Sequence, residues 1–265
     1  MQITSKVFVV TGAGSGMGRE LTRQLLAKGA KVAAVDLRRA TLDELAAALG
    51  EDGTRLSTHA VDVSDRQAVY ALPGAVVEHH GQVDGVFNNA GIIQPFEKLQ
   101  QLDDAAIERV INVNLYGTLY MTRAFLPQLL SRPEAHIVNT SSMGGFLPVP
   151  GQAIYGASKA AVKLMSEALY AELLETSVRV SVVFPGAIAT NIVDNSKVKM
   201  PDLAGKEASF PMLPAEEAAR QIIAGVERNR LRILVGRDAR LMDKLYRLAP
   251  ERAVRLIQRQ MRALL

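Results

Sequence analysis

Two residues carry most of the chemistry in this chain. Tyr155 and Lys159 stand four apart in Tyr155-Gly156-Ala157-Ser158-Lys159, in a segment whose periodicity predicts a helix over Ala153–Glu175, so both side chains lie on one face. A phenol titrates near ~10, too high for a base at neutral pH. An adjacent ammonium favours the phenolate and is expected to bring the tyrosine towards the working range. Such a pair can take the proton from a hydroxyl or return one to a carbonyl oxygen. The same spacing also occurs on ordinary helix surfaces, so the pair acquires meaning only from its surroundings.

A second group of residues suits a nucleotide. Thr11-Gly12-Ala13-Gly14-Ser15-Gly16-Met17-Gly18 follows an apolar run and opens a helical pattern. Glycines there let the backbone turn tightly and approach a pyrophosphate, which the helix N-terminus attracts through its free N–H groups. The spacing is Gly12-x-x-x-Gly16-x-Gly18, not G-x-G-x-x-G, and Ser15 and Met17 lie inside the loop. Asp36 ends the next apolar run, with Leu37 after it; an acidic side chain there accepts hydrogen bonds from ribose hydroxyls and repels a 2′-phosphate. Arg38 and Arg39 pull the other way. NAD is therefore the expected cofactor and NADP the alternative. Asp62-Val63 closes a third run, where it would meet the adenine or merely cap a helix.

These groups must be positioned by a repeating framework. Val/Ile/Ala-rich runs recur at Lys6–Thr11, Lys31–Asp36, Leu56–Val61, Val83–Asn89, His136–Ser141, Val178–Phe184 and Arg232–Val235. Helical segments separate them at Met17–Lys28, Thr41–Leu49, Ser64–Glu78, Asp103–Leu130, Ala153–Glu175 and Ala215–Arg228, with Ser64 and Asp103 as expected N-caps. Strands alternating with helices predict an α/β, doubly wound, Rossmann-like fold: one parallel sheet with helices on both faces. The 265 residues, 48% hydrophobic, fit one catalytic domain over 1–236 followed by a tail over 237–265. No cysteine is present, which excludes disulfides and thiolate ligands, and no metal is expected. Lys6 and Val7–Val10 run straight into the glycine turn, leaving no room for a signal peptide, so a cytoplasmic location is expected.

The net charge of +4 is concentrated in the tail: from Gly236 onward eight basic residues face three acidic ones. A body close to neutral gives no reason to expect nucleic acid. Leu241, Leu245, Leu248, Val254, Ile257, Met261, Leu264 and Leu265 recur at helical spacing among the arginines, predicting two amphipathic helices divided at Pro250. They would pack on another subunit or over the active site; contact with an anionic membrane surface is the less favoured alternative.

Taken together, Thr11-Gly12-x-x-x-Gly16-x-Gly18, Asp62, Asn88-Asn89-Ala90-Gly91, Asn114, Ser142, Tyr155-x-x-x-Lys159 and Pro185-Gly186 resemble the short-chain dehydrogenase/reductase family over roughly residues 6–190. The resemblance implies a seven-stranded parallel sheet and a homo-oligomer, dimer or tetramer. It implies Tyr155 as proton donor or acceptor at the substrate oxygen, and Lys159 as both the charge beside it and a ligand of the nicotinamide ribose. Ser142 would bond the substrate oxygen, with Ser141 as fallback, and Asn114 would hold a water leading from Lys159 to solvent. Asn89-Ala90-Gly91 would pack beside the adenosine. Pro185, Gly186, Ile188 and Thr190 would grip the carboxamide.

Residues expected to border the substrate are apolar: Ile92, Ile93, Met143, Phe146, Leu147, Val149, Val193, Met200, Phe210, Met212 and Leu213. A lipophilic, steroid- or lipid-like alcohol or ketone is the expectation, and a small polar substrate reduced with NADP the alternative. Residues 191–214 contain Gly205, Pro201, Pro211 and Pro214 without strong periodicity, which suits a lid. A non-catalytic nucleotide-sensing protein on the same fold is the competing functional class. It would be expected to lose Tyr155, Lys159 or Ser142, and all three are present.

Overall fold

The structure is a computed structural model that describes residues 1–196, 198 and 212–261. Seven strands form one parallel sheet: β1 (Val7–Thr11), β2 (Lys31–Asp36), β3 (Leu56–Ala60), β4 (Gly85–Asn88), β5 (Ala135–Thr140), β6 (Val178–Pro185) and, after a two-residue pair β7 (Ile188–Ala189) and β8 (Leu213–Pro214), β9 (Arg232–Val235). Their order is β3-β2-β1-β4-β5-β6-β9. Every pairing is parallel, as the near-continuous apolar runs require.

Alternation along β1 shows why both faces are covered. Phe8 and Val10 point into a core shared with Leu21 and Leu25 of α1 (Gly16–Ala27), Leu42 of α2 (Arg39–Ala48) and Ile222 of α8 (Ala215–Glu227). Val9 points the opposite way, towards Val69 and Val76 of α3 (Arg66–His80) and Phe125 of α5 (Thr118–Leu130). Helix α6 (Ala153–Glu172) lies on that second face through Leu169 and Tyr170. The chain works outward from β1 to β3, then returns to β4 on the other side of β1. This reversal opens a crevice at the carboxyl ends of the strands, where ligands of such sheets bind.

Two local expectations are corrected and a third, Asp103 as an N-cap, holds. The helix expected over Asp103–Leu130 is interrupted: α4 (Asp104–Ile111) passes into a wider π turn over Asn112–Gly117 before α5 begins. Asn114 sits inside that turn, and Thr118 Oγ1 donates to its carbonyl at 2.8 Å, so a side chain satisfies the irregular backbone. The N-cap of α3 is Asp65, not Ser64; its carboxylate accepts from the Gln67 and Ala68 N–H groups. Asp103 occupies the N-cap position of α4 without a side-chain cap bond.

The short helix α7 (Ile192–Asn195) begins the segment read as a lid; most of that segment, including Met200 and Phe210, lies outside the described residues. The tail forms α9 (Arg237–Leu248) and α10 (Pro250–Gln260), divided as Pro250 requires. Ala253 and Ile257 pack on Leu147, with Met143, Phe146, Leu245 and Tyr246 around them. The tail thus docks on its own chain, beside the stretch that follows Ser142. Among the described residues no helix is long and apolar enough to cross a membrane.

Candidate active site

A cleft of about 370 Å³ lies over the carboxyl ends of β1, β2 and β4. The glycine loop forms its floor. Gly12 and Gly16 have φ of +66° and +50°, and a Cβ on Gly18 would come within 2.0 Å of the Gly12 carbonyl oxygen, so side chains are excluded where the loop folds under α1. Ser15 is the N-cap of α1 but makes no side-chain cap bond; its hydroxyl accepts from Asn195 Nδ2 at 2.9 Å. The positive end of α1 therefore faces the cleft, ready for an anion.

Asp36, 8% exposed, stands on the cleft wall. Its Oδ2 accepts from the Gly14 N–H at 2.9 Å and its Oδ1 from the Arg38 N–H at 3.0 Å. These bonds aim the carboxylate while leaving lone pairs for ribose hydroxyls. Leu37, Val63, Asn89, Ala90, Gly91 and Thr190 join the same wall, as do Ser15, Met17 and Asp62. Asp62 also accepts from the Ser64 N–H and hydroxyl, a turn ahead of α3, whose cap is Asp65, so the helix-cap reading of Asp62 does not hold. Thr11 Oγ1 accepts from the Asn89 and Ala90 N–H groups and ties the β4 turn to the glycine loop. A pyrophosphate cradle kept clear of side chains at Gly12, Gly16 and Gly18, beside the Asp36 carboxylate, fits a nicotinamide dinucleotide.

The chemical residues cluster at the end of β5. Ser142 follows β5, and its hydroxyl accepts from the Gly144 N–H at 3.0 Å. The Tyr155 ring stands against Gly144, where an added Cβ would lie 3.4 Å from Tyr155 Cε1 and 3.5 Å from Ser142 Oγ. Burial pushes the Tyr155 phenol above its ordinary value, while a hydrogen bond with Ser142 acts to lower it. This corrects the expectation that Lys159 would bring the phenol down. The Lys159 ammonium, 3% exposed, donates to the Thr140 carbonyl at 3.0 Å and is itself lowered to about 8 by burial. Ser141, the fallback, is committed elsewhere: its hydroxyl donates to the Lys159 carbonyl at 2.7 Å.

Asn114 links the two sides. Its amide mimics a strand partner, with Oδ1 accepting from the Ile92 N–H and Nδ2 donating to the Ile92 carbonyl, both at 2.9 Å. Nδ2 also donates to Ser158 Oγ at 3.0 Å. Gly91 is small because Lys159 Nζ and Asn114 Oδ1 would lie 3.0 and 3.2 Å from a Cβ there.

Three residues of the sixth-strand segment are placed otherwise than the cleft wall. Pro185 ends β6 in the interior. Gly186 is packed on Asp238, whose Oδ2 would meet a Cβ there and accepts from the Ala187 N–H at 2.7 Å. Ile188 pairs with Leu213 and packs on the α1 core. The apolar border also thins. Leu147 is fully buried and Phe146 partly so, both turned to the tail helices; Ile93 is buried; Met212 is exposed. Gln94 was not singled out by any motif, yet its fully buried side chain contacts the start of α6. A lone glutamine in a loop gives no periodic or spacing signal.

A dinucleotide crevice at the switch point of a parallel sheet, with a buried lysine behind Gly91 of its wall and a serine and a tyrosine outside that wall, past the end of β5, suits a nicotinamide-dependent oxidoreductase. Residues 6–200 match the short chain dehydrogenase family, and the chain belongs to the short-chain dehydrogenase/reductase family. It is 37% identical over 259 residues to SadH, named an oxidoreductase, of Mycobacterium tuberculosis, covering 95% of this chain and 94% of that one. Among solved structures it is similar to a short chain dehydrogenase/reductase from Burkholderia phymatum in complex with NAD (TM-score 0.83, 30% identity, 94% and 96% of the two chains). It is also similar to a short chain dehydrogenase from Burkholderia cenocepacia in complex with NADP (TM-score 0.82, 28% identity, 97% and 99%). The protein is thus an NAD(P)-dependent dehydrogenase/reductase.

Proposed function

We propose that this enzyme interconverts a secondary alcohol and a ketone on an apolar substrate, using NAD(H), with Ser142, Tyr155, Lys159 and Asn114 as its working set. The observation that carries this reading is the buried Lys159 one helical turn from Tyr155, with Ser142 against the phenol. The nicotinamide, when bound, accepts or delivers the hydride. Tyr155 gives its phenolic proton to the ketone oxygen during reduction and takes the hydroxyl proton during oxidation. Ser142 donates to the same oxygen and holds it in reach of the phenol. Lys159 would bind the nicotinamide ribose hydroxyls, and its charge would then favour the phenolate. Asn114 holds the Ile92 loop and Ser158 in place around Lys159.

Burial raises Tyr155 and so favours the neutral phenol, the form that donates a proton to a ketone oxygen. Oxidation needs the phenolate and releases a proton, so it gains as pH rises. The preference for NAD rests on Asp36, whose fixed carboxylate suits ribose hydroxyls and opposes a 2′-phosphate. The apolar substrate rests on Ile92, Val149 and Val193, half-buried members of the expected border that pack on neither the core nor the tail cluster. We place the enzyme in solution as a dimer or tetramer.

The test is a turnover screen of cyclohexanol, long-chain secondary alcohols, steroid alcohols and small diols, with the matching ketones, against NAD(H) and NADP(H). Faster turnover of the apolar members with NAD(H) is expected. Selective turnover of diols, or preference for NADP(H), would overturn the corresponding part.

A further inference from the structure

The helix that carries Tyr155 lacks a cap of its own. Its N-cap residue, Gln152, makes no side-chain cap bond, and the first N–H groups of any helix have no partner inside it. A serine, threonine, aspartate or asparagine at the N-cap would ordinarily accept from the second or third of them. Here the acceptor arrives from 60 residues upstream. Gln94 Oε1 accepts from the Ile154 N–H at 2.8 Å and from the Tyr155 N–H at 2.9 Å. Its Nε2 donates to the Gly151 carbonyl at 3.0 Å, and its main-chain carbonyl accepts from Gln152 Nε2 at 3.0 Å.

The geometry points to Gln94 as a positioning residue for Tyr155: a cap supplied from the loop after β4 that fixes the start of α6, and with it the phenol, relative to the substrate loop. The inference rests on the reading of Tyr155 as the acid/base. Both backbone polar groups of Tyr155 are held. Gln94 takes its N–H, and Ser158 Oγ donates to its carbonyl at 2.7 Å. Ser158 in turn accepts from Asn114, which holds both backbone groups of Ile92, two residues before Gln94. The bonds close a circuit through the loop after β4, the π turn and α6. Gln94 is 0% exposed, so water cannot replace its bonds. Its side chain both accepts and donates there. Glutamate keeps the acceptor for the two N–H groups; methionine keeps the length and neither function.

The test compares Gln94→Met, Gln94→Glu and Tyr155→Phe in the full chain, using the fastest secondary alcohol of the screen and NADH binding followed by fluorescence. Displacing a reacting group by about 1 Å costs up to about a hundredfold in rate. Gln94→Met should lower kcat about tenfold to a hundredfold while the NADH Kd stays within about twofold. Gln94→Glu should recover most of the lost kcat. If the methionine variant does not fold, Gln94→Asn, one methylene too short to reach both N–H groups, should show the same split. The inference is overturned if Tyr155→Phe is inactive while Gln94→Met or Gln94→Asn turns over like the wild type. It is also overturned if NADH affinity falls as far as kcat, or if Gln94→Glu is no better than Gln94→Met. Full turnover by Tyr155→Phe would instead remove the reading on which it rests.

Discussion

The two halves of the sheet are built on different principles. In the nucleotide half, β1 to β3, function lies in backbone: glycines that keep Cβ atoms out, a helix end with free N–H groups, and one carboxylate fixed by two N–H donors. In the chemical half, β4 to β6, function lies in side chains anchored by other side chains over long sequence separations. Asn88 Nδ2 donates to Asn139 Oδ1 and Thr122 Oγ1, and Asn139 Nδ2 donates to Ser166, all buried. A cofactor common to many enzymes needs a generic cradle. A proton transfer needs one phenol held to a fraction of an ångström.

Substitutions in each half should therefore fail differently. The largest effect is expected in the chemical half: Lys159→Met should cut kcat by roughly a hundredfold or more, with melting temperature little changed or raised, since a buried ammonium is removed. Steady-state kinetics with a thermal melt checks both. In the nucleotide half, Gly18→Ala must displace the Gly12 carbonyl, which its Cβ would meet at 2.0 Å. About 3 kcal/mol of overpacking should weaken NADH by roughly a hundredfold at saturable kcat, as read by titration calorimetry. Asp36→Ala should lower the NAD-over-NADP preference by about tenfold or more, through lost charge-assisted bonds, with kcat for either cofactor nearly unchanged. Unchanged selectivity would count against Asp36.

The smallest effect concerns acid. Burial lowers His80 from 6.5 to about 4 and His136 from 6.5 to about 3. In each case the unfolded chain binds the proton more readily, so stability is lost as pH falls from 6.5 towards those values. His80 belongs to the nucleotide half, where Ser57 Oγ bridges it to His59; His136 sits in β5. Amide-exchange protection, corrected for the intrinsic rate, should fall around both α3 and β5 as pH drops from 6.5 to about 4, and β5 alone should go on losing it towards about 3. Loss that stopped at about 4 in β5 would break the contrast.

The same contrast explains what was legible in the sequence. Strand and helix alternation, the glycine spacing, Asp36 and the Tyr155–Lys159 pair are local patterns, and local patterns survive without coordinates. The π turn at Asn114 was only partly legible: an asparagine inside a helix can bend it by bonding to backbone, but nothing local says that Ile92 and Ser158 claim its amide. Leu147 and Phe146 were read as substrate border because hydrophobicity does not say which apolar partner it meets; the partner is the tail. The raised Tyr155 phenol was missed for a similar reason. Spacing brings Lys159 to the same face, but burial decides the balance and Thr140 takes the ammonium.

The central claim is that Tyr155 moves the proton. Rates of alcohol oxidation with NAD and of ketone reduction with NADH, measured against pH for the wild type and Tyr155→Phe, test it most directly. Wild-type oxidation should rise with pH while reduction falls. Both limbs should collapse by a thousandfold or so in Tyr155→Phe, within the range that positioned acid/base groups supply, with NADH binding intact. A Tyr155→Phe variant that kept the wild-type rates and pH dependence would contradict the account.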